Sequence, residues 1–222
     1  MLPVRKSARS KPVTFEPFLL GAEAEPDDGA WYVYLFALTD CSAFKIGFTC
    51  NPLQRITTFS RRYFERFELR QSQLLNVHTN DDARALEAAL KTALAPHRMA
   101  APEWIPAEAG GQTEWFSAVY FGDAEERMRA SNALRTLSQP ISAFEHFHGI
   151  LGRTTDAFER WAATQAQLVC ELREAAVRGY AVRDHGASLR DWLDAYGHFD
   201  LPLYAQSPDT LEFVKQAAYS RG

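Results

Sequence analysis

The chain has 222 residues, a formal net charge of -4 and 46% apolar residues. This is enough apolar material for a real core and too much for a disordered chain, and the length allows one large domain or two small ones. Composition also excludes a membrane span, because no apolar run approaches the roughly 20 residues needed to cross a bilayer. No apolar secretory leader is expected at the N-terminus, and the acidic balance does not by itself advertise nucleic-acid binding. Cys41, Cys50 and Cys170 show no CxxC or zinc spacing and read as free thiols of a cytoplasmic protein.

Residues 1–27 are expected to form a flexible tail. Its first part carries Arg5, Lys6, Arg9 and Lys11 with no acid, and an acidic, Gly/Pro-containing stretch follows. Trp31 to Leu38, WYVYLFAL, is aromatic and β-branched without a breaker, and its unbroken apolarity predicts a strand buried on both faces. After a turn over Thr39–Ala43, FKIGFT predicts a second strand. Gly47 inside it points to close approach by another group. Asn51-Pro52 supplies a cap and a first helical residue for LQRITTFSRRYFERF. Residues 74–79, LLNVHT, predict a third strand. Thr79 to Asp82 offer caps for a helix on which Leu86, Leu90 and Leu94 face a core, and Pro96 ends it. An Ala/Pro/Gly-rich loop spans 99–112, and Thr113 to Phe121 resume a strand pattern. The order β-β-α-β-α-β is that of a compact α/β (α+β) unit over residues 28–122.

After Gly122 the pattern becomes helical, over 123–137, 154–178, 187–196 and 208–219. Thr155-Asp156 is a candidate cap for the second of these and Gly179 a candidate end. Residues 123–222 are therefore expected to be a separate all-helical domain. It has 14 acidic against 11 basic residues, which argues against an electrostatic grip on DNA. Glu145-His146-Phe147-His148 lacks further ligands at metal spacing, and His185 and His198 are isolated. No serine elbow, P-loop or dinucleotide glycine pattern is present.

Tyr32-Val33-Tyr34, Lys45-Ile46-Gly47, Arg55, Glu87 and Glu114-Trp115-Phe116 follow one another on strand, strand, helix, helix and strand. In order and spacing they resemble the GIY-YIG nuclease module. The closer likeness is to its phage-type branch, with Y-V-Y and K-I-G motifs and a closing E-W-F. The resemblance covers roughly residues 31–120. It implies a Mg²⁺-dependent (or Mn²⁺-dependent) endonuclease that hydrolyses phosphodiester bonds in DNA. On that reading Tyr34 acts on the attacking water, Lys45 and Arg55 stabilise phosphate charge, and Glu87 is the metal ligand. Phosphodiester hydrolysis requires such parts, namely an activated water, cations for developing charge and a hard oxygen ligand for a hard metal. Lys45 stands where the motif's second tyrosine would be, and Tyr32 replaces the first motif's glycine. Lys45 is expected either to lower the pKa of Tyr34 or to bind a phosphate oxygen.

Each residue also has an ordinary explanation. Tyr34 is then a core aromatic, Arg55 a solvent-facing helix residue, and Glu87 half of an i, i+4 pair with Lys91. A second feature fits nucleic acid. Arg61, Arg62 and Arg66 alternate with Phe59, Tyr63, Phe64 and Phe67, so that arginines could hold a backbone while aromatics stack on bases. His97 is a further candidate contact. The alternatives to a nuclease are a nucleic-acid-binding module without cleavage, and an effector whose helical domain docks a protein partner. No membrane partner is expected.

Overall fold

A strand that is apolar on both faces needs cover on both, and Trp31–Ala37 has it. The computed structural model describes residues 30–133, 139–177, 186–203 and 207–220; the predicted tail, Gly179 and His185 lie outside them. Trp31–Ala37 is β1, inside a six-stranded sheet ordered β4 (Arg98–Met99), β5 (Trp115–Ser117), β2 (Ala43–Thr49), β1, β3 (Gln73–Val77), β6 (Ile141–Ser142). Every neighbouring pair is antiparallel. Strand alternation divides β1 between two layers. Val33, Leu35 and Ala37 pack with residues of α3 (Asn80–Ala93) and α4 (Phe121–Ala133). Tyr32, Tyr34 and Phe36 face the other way, into a larger cluster.

That larger cluster crosses the expected boundary at residue 122. α1 (Pro52–Phe59) and α2 (Tyr63–Arg66) contribute Leu53, Ile56, Phe59, Tyr63 and Phe64. The helices α5 (Ala143–Arg153), α6 (Thr155–Val177), α7 (Ala187–His198) and α8 (Pro208–Tyr219) add Phe147, Phe158, Tyr196 and Val214 to the same cluster. Tyr63 meets Phe147 edge-on at 5.8 Å. Arg62 donates to Asp191 at 3.0 Å and Asp194 at 2.8 Å on α7. The C-terminal region is helical as expected, and it also lends the sheet its edge strand β6 and covers its Tyr34 face.

Several elements differ from the sequence reading; α5, β4 and β6 were not expected at all. The helix expected over residues 53–67 breaks at Ser60, and α2 follows as a single turn. Phe67 forms a bridge with Leu38, and Glu68 N–H donates to Ala37 O at 2.9 Å, so the chain must leave the helix to line the end of β1. The last strand of the unit is three residues rather than nine. Ser117 pairs with Ala43, the first residue of β2, and beyond it the backbone finds only the hairpin turn, through Ala118 N–H to Ser42 O at 3.2 Å. Phe121 then starts α4. Thr155 is not a cap but the first residue of α6, while the hydroxyl of Thr154 donates back to Ile150 O and Leu151 O.

Candidate active site

The pairing of β1 with β2 puts Tyr34 opposite Gly47, and the tyrosine ring lies over the glycine. A Cβ on residue 47 would run into the Tyr34 hydroxyl and ring. This is the close approach that the glycine signalled. On the same face and two residues earlier, Lys45 projects beside Trp115, its partner on β5. β5 pairs with β2 only as far as Lys45, with one further bond from Ile46 N–H to Glu114 O at 3.1 Å. The sheet therefore opens beside Gly47, and side chains from both faces meet there.

Arg55 reaches this opening from the first turn of α1. Asn51 starts the helix, its side chain accepting from Gln54 N–H at 3.0 Å, with Pro52 in the first position. The Arg55 guanidinium lies on the Phe59 ring at 4.6 Å and donates from Nε to the Tyr34 oxygen at 3.3 Å. Its Nη1 donates to Ala109 O at 2.7 Å. Glu87 comes from the other face, on α3, where Thr79 caps the helix by accepting from Asp82 N–H. It is nearly buried and pairs with Lys91 at 3.2 Å. Lys91 also reaches Glu114 Oε1 at 3.1 Å, and Glu114 Oε2 reaches Lys45 Nζ at 3.1 Å. Lys45 has no exposed surface and donates in addition to Gly111 O at 2.7 Å.

Burial sets the charge states. It pushes the Tyr34 phenol up to about 12, against the lowering pull of Arg55, and so Tyr34 is protonated at neutral pH. The cation acting on the phenol is Arg55 and not Lys45, because Arg55 makes the hydrogen bond. Burial brings Lys45 down to about 8 even with Glu114 beside it. Burial also raises Glu87, with Lys91 opposing. It would raise Glu114 too, but Lys45 and Lys91 outweigh it and hold that carboxyl below the usual range.

Arg55 and Glu87 each act electrostatically on both Tyr34 and Lys45, so the four residues expected at the site lie together. Two contributors were missed by sequence reasoning. Glu114 appeared only as the first residue of the closing E-W-F motif, with no role of its own, yet it joins both lysines. The loop before it read only as an Ala/Pro/Gly-rich connection between elements, yet its carbonyls at Ala109 and Gly111 accept from Arg55 and Lys45. The signal for the second was Gly110-Gly111: both have φ near +66°, and a Cβ on Gly111 would collide with Lys45 and Glu114.

The expected nucleic-acid stripe does not form one surface. Phe59, Tyr63, Phe64 and Phe67 are buried in the core and leave no ring free for bases: Tyr63 and Phe64 meet Phe147 and His198 of the C-terminal helices, and Phe59 and Phe67 pack on Trp115. Arg62 is held by Glu65, Asp191 and Asp194 and so fastens α7 to α2 instead of facing solvent alone. Arg61 is exposed beside a cavity of about 220 Å³ between α1 and α7. Arg66 is exposed and lies over Trp104 at 5.2 Å. His97 stacks on Tyr120 at 3.4 Å between ring centroids.

No group of three or more His, Cys, Asp or Glu that could hold a metal occurs among the described residues. No helix among them is long and apolar enough to cross a membrane. No curated protein and no solved structure gives a significant match to the chain. Residues 31–132 match the family model of the T5orf172 domain, a phage-associated domain related to nuclease-like, GIY-YIG-like folds.

Proposed function

We propose that the protein is a metal-dependent endonuclease that hydrolyses phosphodiester bonds in DNA, with its site at the open edge of β2. The match to the T5orf172 domain supports a nuclease or DNA-binding role. The observation that carries the finer reading is the meeting of Tyr34, Arg55, Lys45 and Glu87, from four separate elements, around Gly47. Arg55 and Lys45 are the phosphate ligands. The planar fork of Arg55 suits a phosphate, and both cations spread the charge that develops on the phosphoryl oxygens. To do so they exchange the Ala109 and Gly111 carbonyls for phosphate oxygens. Tyr34, with its phenol protonated at rest, orients the attacking water and is not a resting phenolate base.

The donors fit magnesium, and they do not fit zinc, which needs three or four protein ligands. Magnesium keeps several waters and takes one or two carboxylates together with substrate phosphates. Glu87 would hold it, provided Lys91 gives way, and the bound cation would neutralise charge on the scissile phosphate. We infer residues 28–122 as the nuclease unit and 123–222 as the helical region attached to it.

Supercoiled plasmid incubated with Mg²⁺ or with EDTA tests this, beside Arg55→Ala and Glu87→Ala. Cleavage by the native chain, absent in EDTA and cut at least 100-fold in both variants, is the expected result. The high pKa of Tyr34 favours one second reading, a module that binds without cutting. Retained gel-shift binding, indifferent to EDTA and without cleavage, would establish that instead.

A further inference from the structure

Glu114 is fixed at its backbone by β2, because its carbonyl accepts from Ile46 N–H. It stands just before β5 begins, so its side chain lies at the sheet edge, and its two oxygens are divided. One takes the buried Lys45, and the other takes Lys91, which in turn holds Glu87. We propose that Glu114 is a positioning residue of the site, tying the phosphate ligand Lys45 on one face of the sheet to the carboxylate Glu87 on the other through Lys91. The proposal rests on the nuclease reading above and adds a residue to it.

A fully buried ammonium persists only if it is hydrogen-bonded and paired. Lys45 has the Gly111 carbonyl and the Glu114 carboxylate for this. The charged and titratable groups around it are Glu114 before β5, Arg55 on α1, Glu87 on α3 and the Tyr34 phenol on β1. Arg55 disfavours the ammonium, and Glu114 is the largest influence in its favour. Removing the Glu114 charge therefore has two effects. Lys45 gives up its proton at lower pH and ceases to be a cation for phosphate. Lys91 loses one of its two carboxylates and turns wholly to Glu87, competing with whatever that carboxylate must bind.

The test uses the full chain with ¹⁵N-labelled lysine, as native protein, Glu114→Gln and Glu114→Asp. The Lys45 Nζ resonance is followed against pH, and plasmid cleavage is measured over the same range. In the native protein the Lys45 midpoint is expected at about 8. Glu114→Gln should lower it, shift the high-pH limb of cleavage in the same direction and slow cleavage about 10–100-fold. Glu114→Asp should move both by less. If Glu114→Gln does not fold, the smaller shift in Glu114→Asp decides the matter. A Lys45 midpoint unmoved in both variants overturns the proposal, as does a slowed enzyme whose pH profile stays in place. Should the native chain cut nothing, the nuclease reading falls, and the Lys45 titration still reports whether Glu114 holds the ammonium.

Discussion

Tyr34 and Gly47 show how little room the site leaves. They are cross-strand partners, and the phenol occupies the volume a side chain at 47 would need. The neighbour is a fully buried ring with little freedom to retreat. Gly47→Ala should therefore lower stability by about 1–3 kcal/mol, the usual cost of overpacking a core. Chemical denaturation checks it, with Tyr34→Ala and the double variant closing a cycle. The two changes should be non-additive, since removing the ring removes the clash; simple additivity would sink the explanation. The glycine was legible because a strand interior seldom tolerates one without a reason. The protonation of Tyr34 was not legible. It follows from complete burial in a core assembled from segments far apart in sequence, and local spacing carries no trace of that assembly.

Among elements, α1 has the most direct tie to the site, since Arg55 sits in its first turn. Asn51 closes that turn by accepting from Gln54 N–H. Asn51→Ala should cost about 1 kcal/mol of stability, as cap removals do. It should also slow cleavage, because the frayed turn is the one that aims the guanidinium at Tyr34. A cap variant at Thr79, on the α3 turn before Glu87, is the comparison. Stability is read from denaturation and rate from plasmid nicking; Asn51→Ala with unchanged rate would show that Arg55 is held by Phe59 and Ala109 alone. The start of α1 was readable because Asn-Pro states it chemically. Its early end was not, since the bridge between Phe67 and Leu38 dictates it. β4 and β6 escaped notice for a simpler reason: two residues hold no periodicity.

For the whole molecule, the decisive fact is one core shared by the Tyr34 face of the sheet and α5–α8. Truncation after residue 122 would uncover Tyr32, Tyr63 and Phe64 together and remove β6 from the sheet edge. The shortened chain is expected to bind a hydrophobic dye and to lose its cooperative thermal transition. A sharp transition retained by residues 28–122 would mean that the helices are an optional attachment. The sequence announced α4, α6, α7 and α8 but not α5, and an amphipathic helix does not say which surface it will cover. The carbonyls of Ala109 and Gly111 already satisfy Arg55 and Lys45. An anion arriving there exchanges hydrogen bonds instead of adding them. A free phosphate ion recovers little from that exchange, whereas a polymer that touches protein at many phosphates can make up the difference elsewhere. The same loop would then make the protein choosy between a nucleic-acid strand and the small anions that crowd any cell.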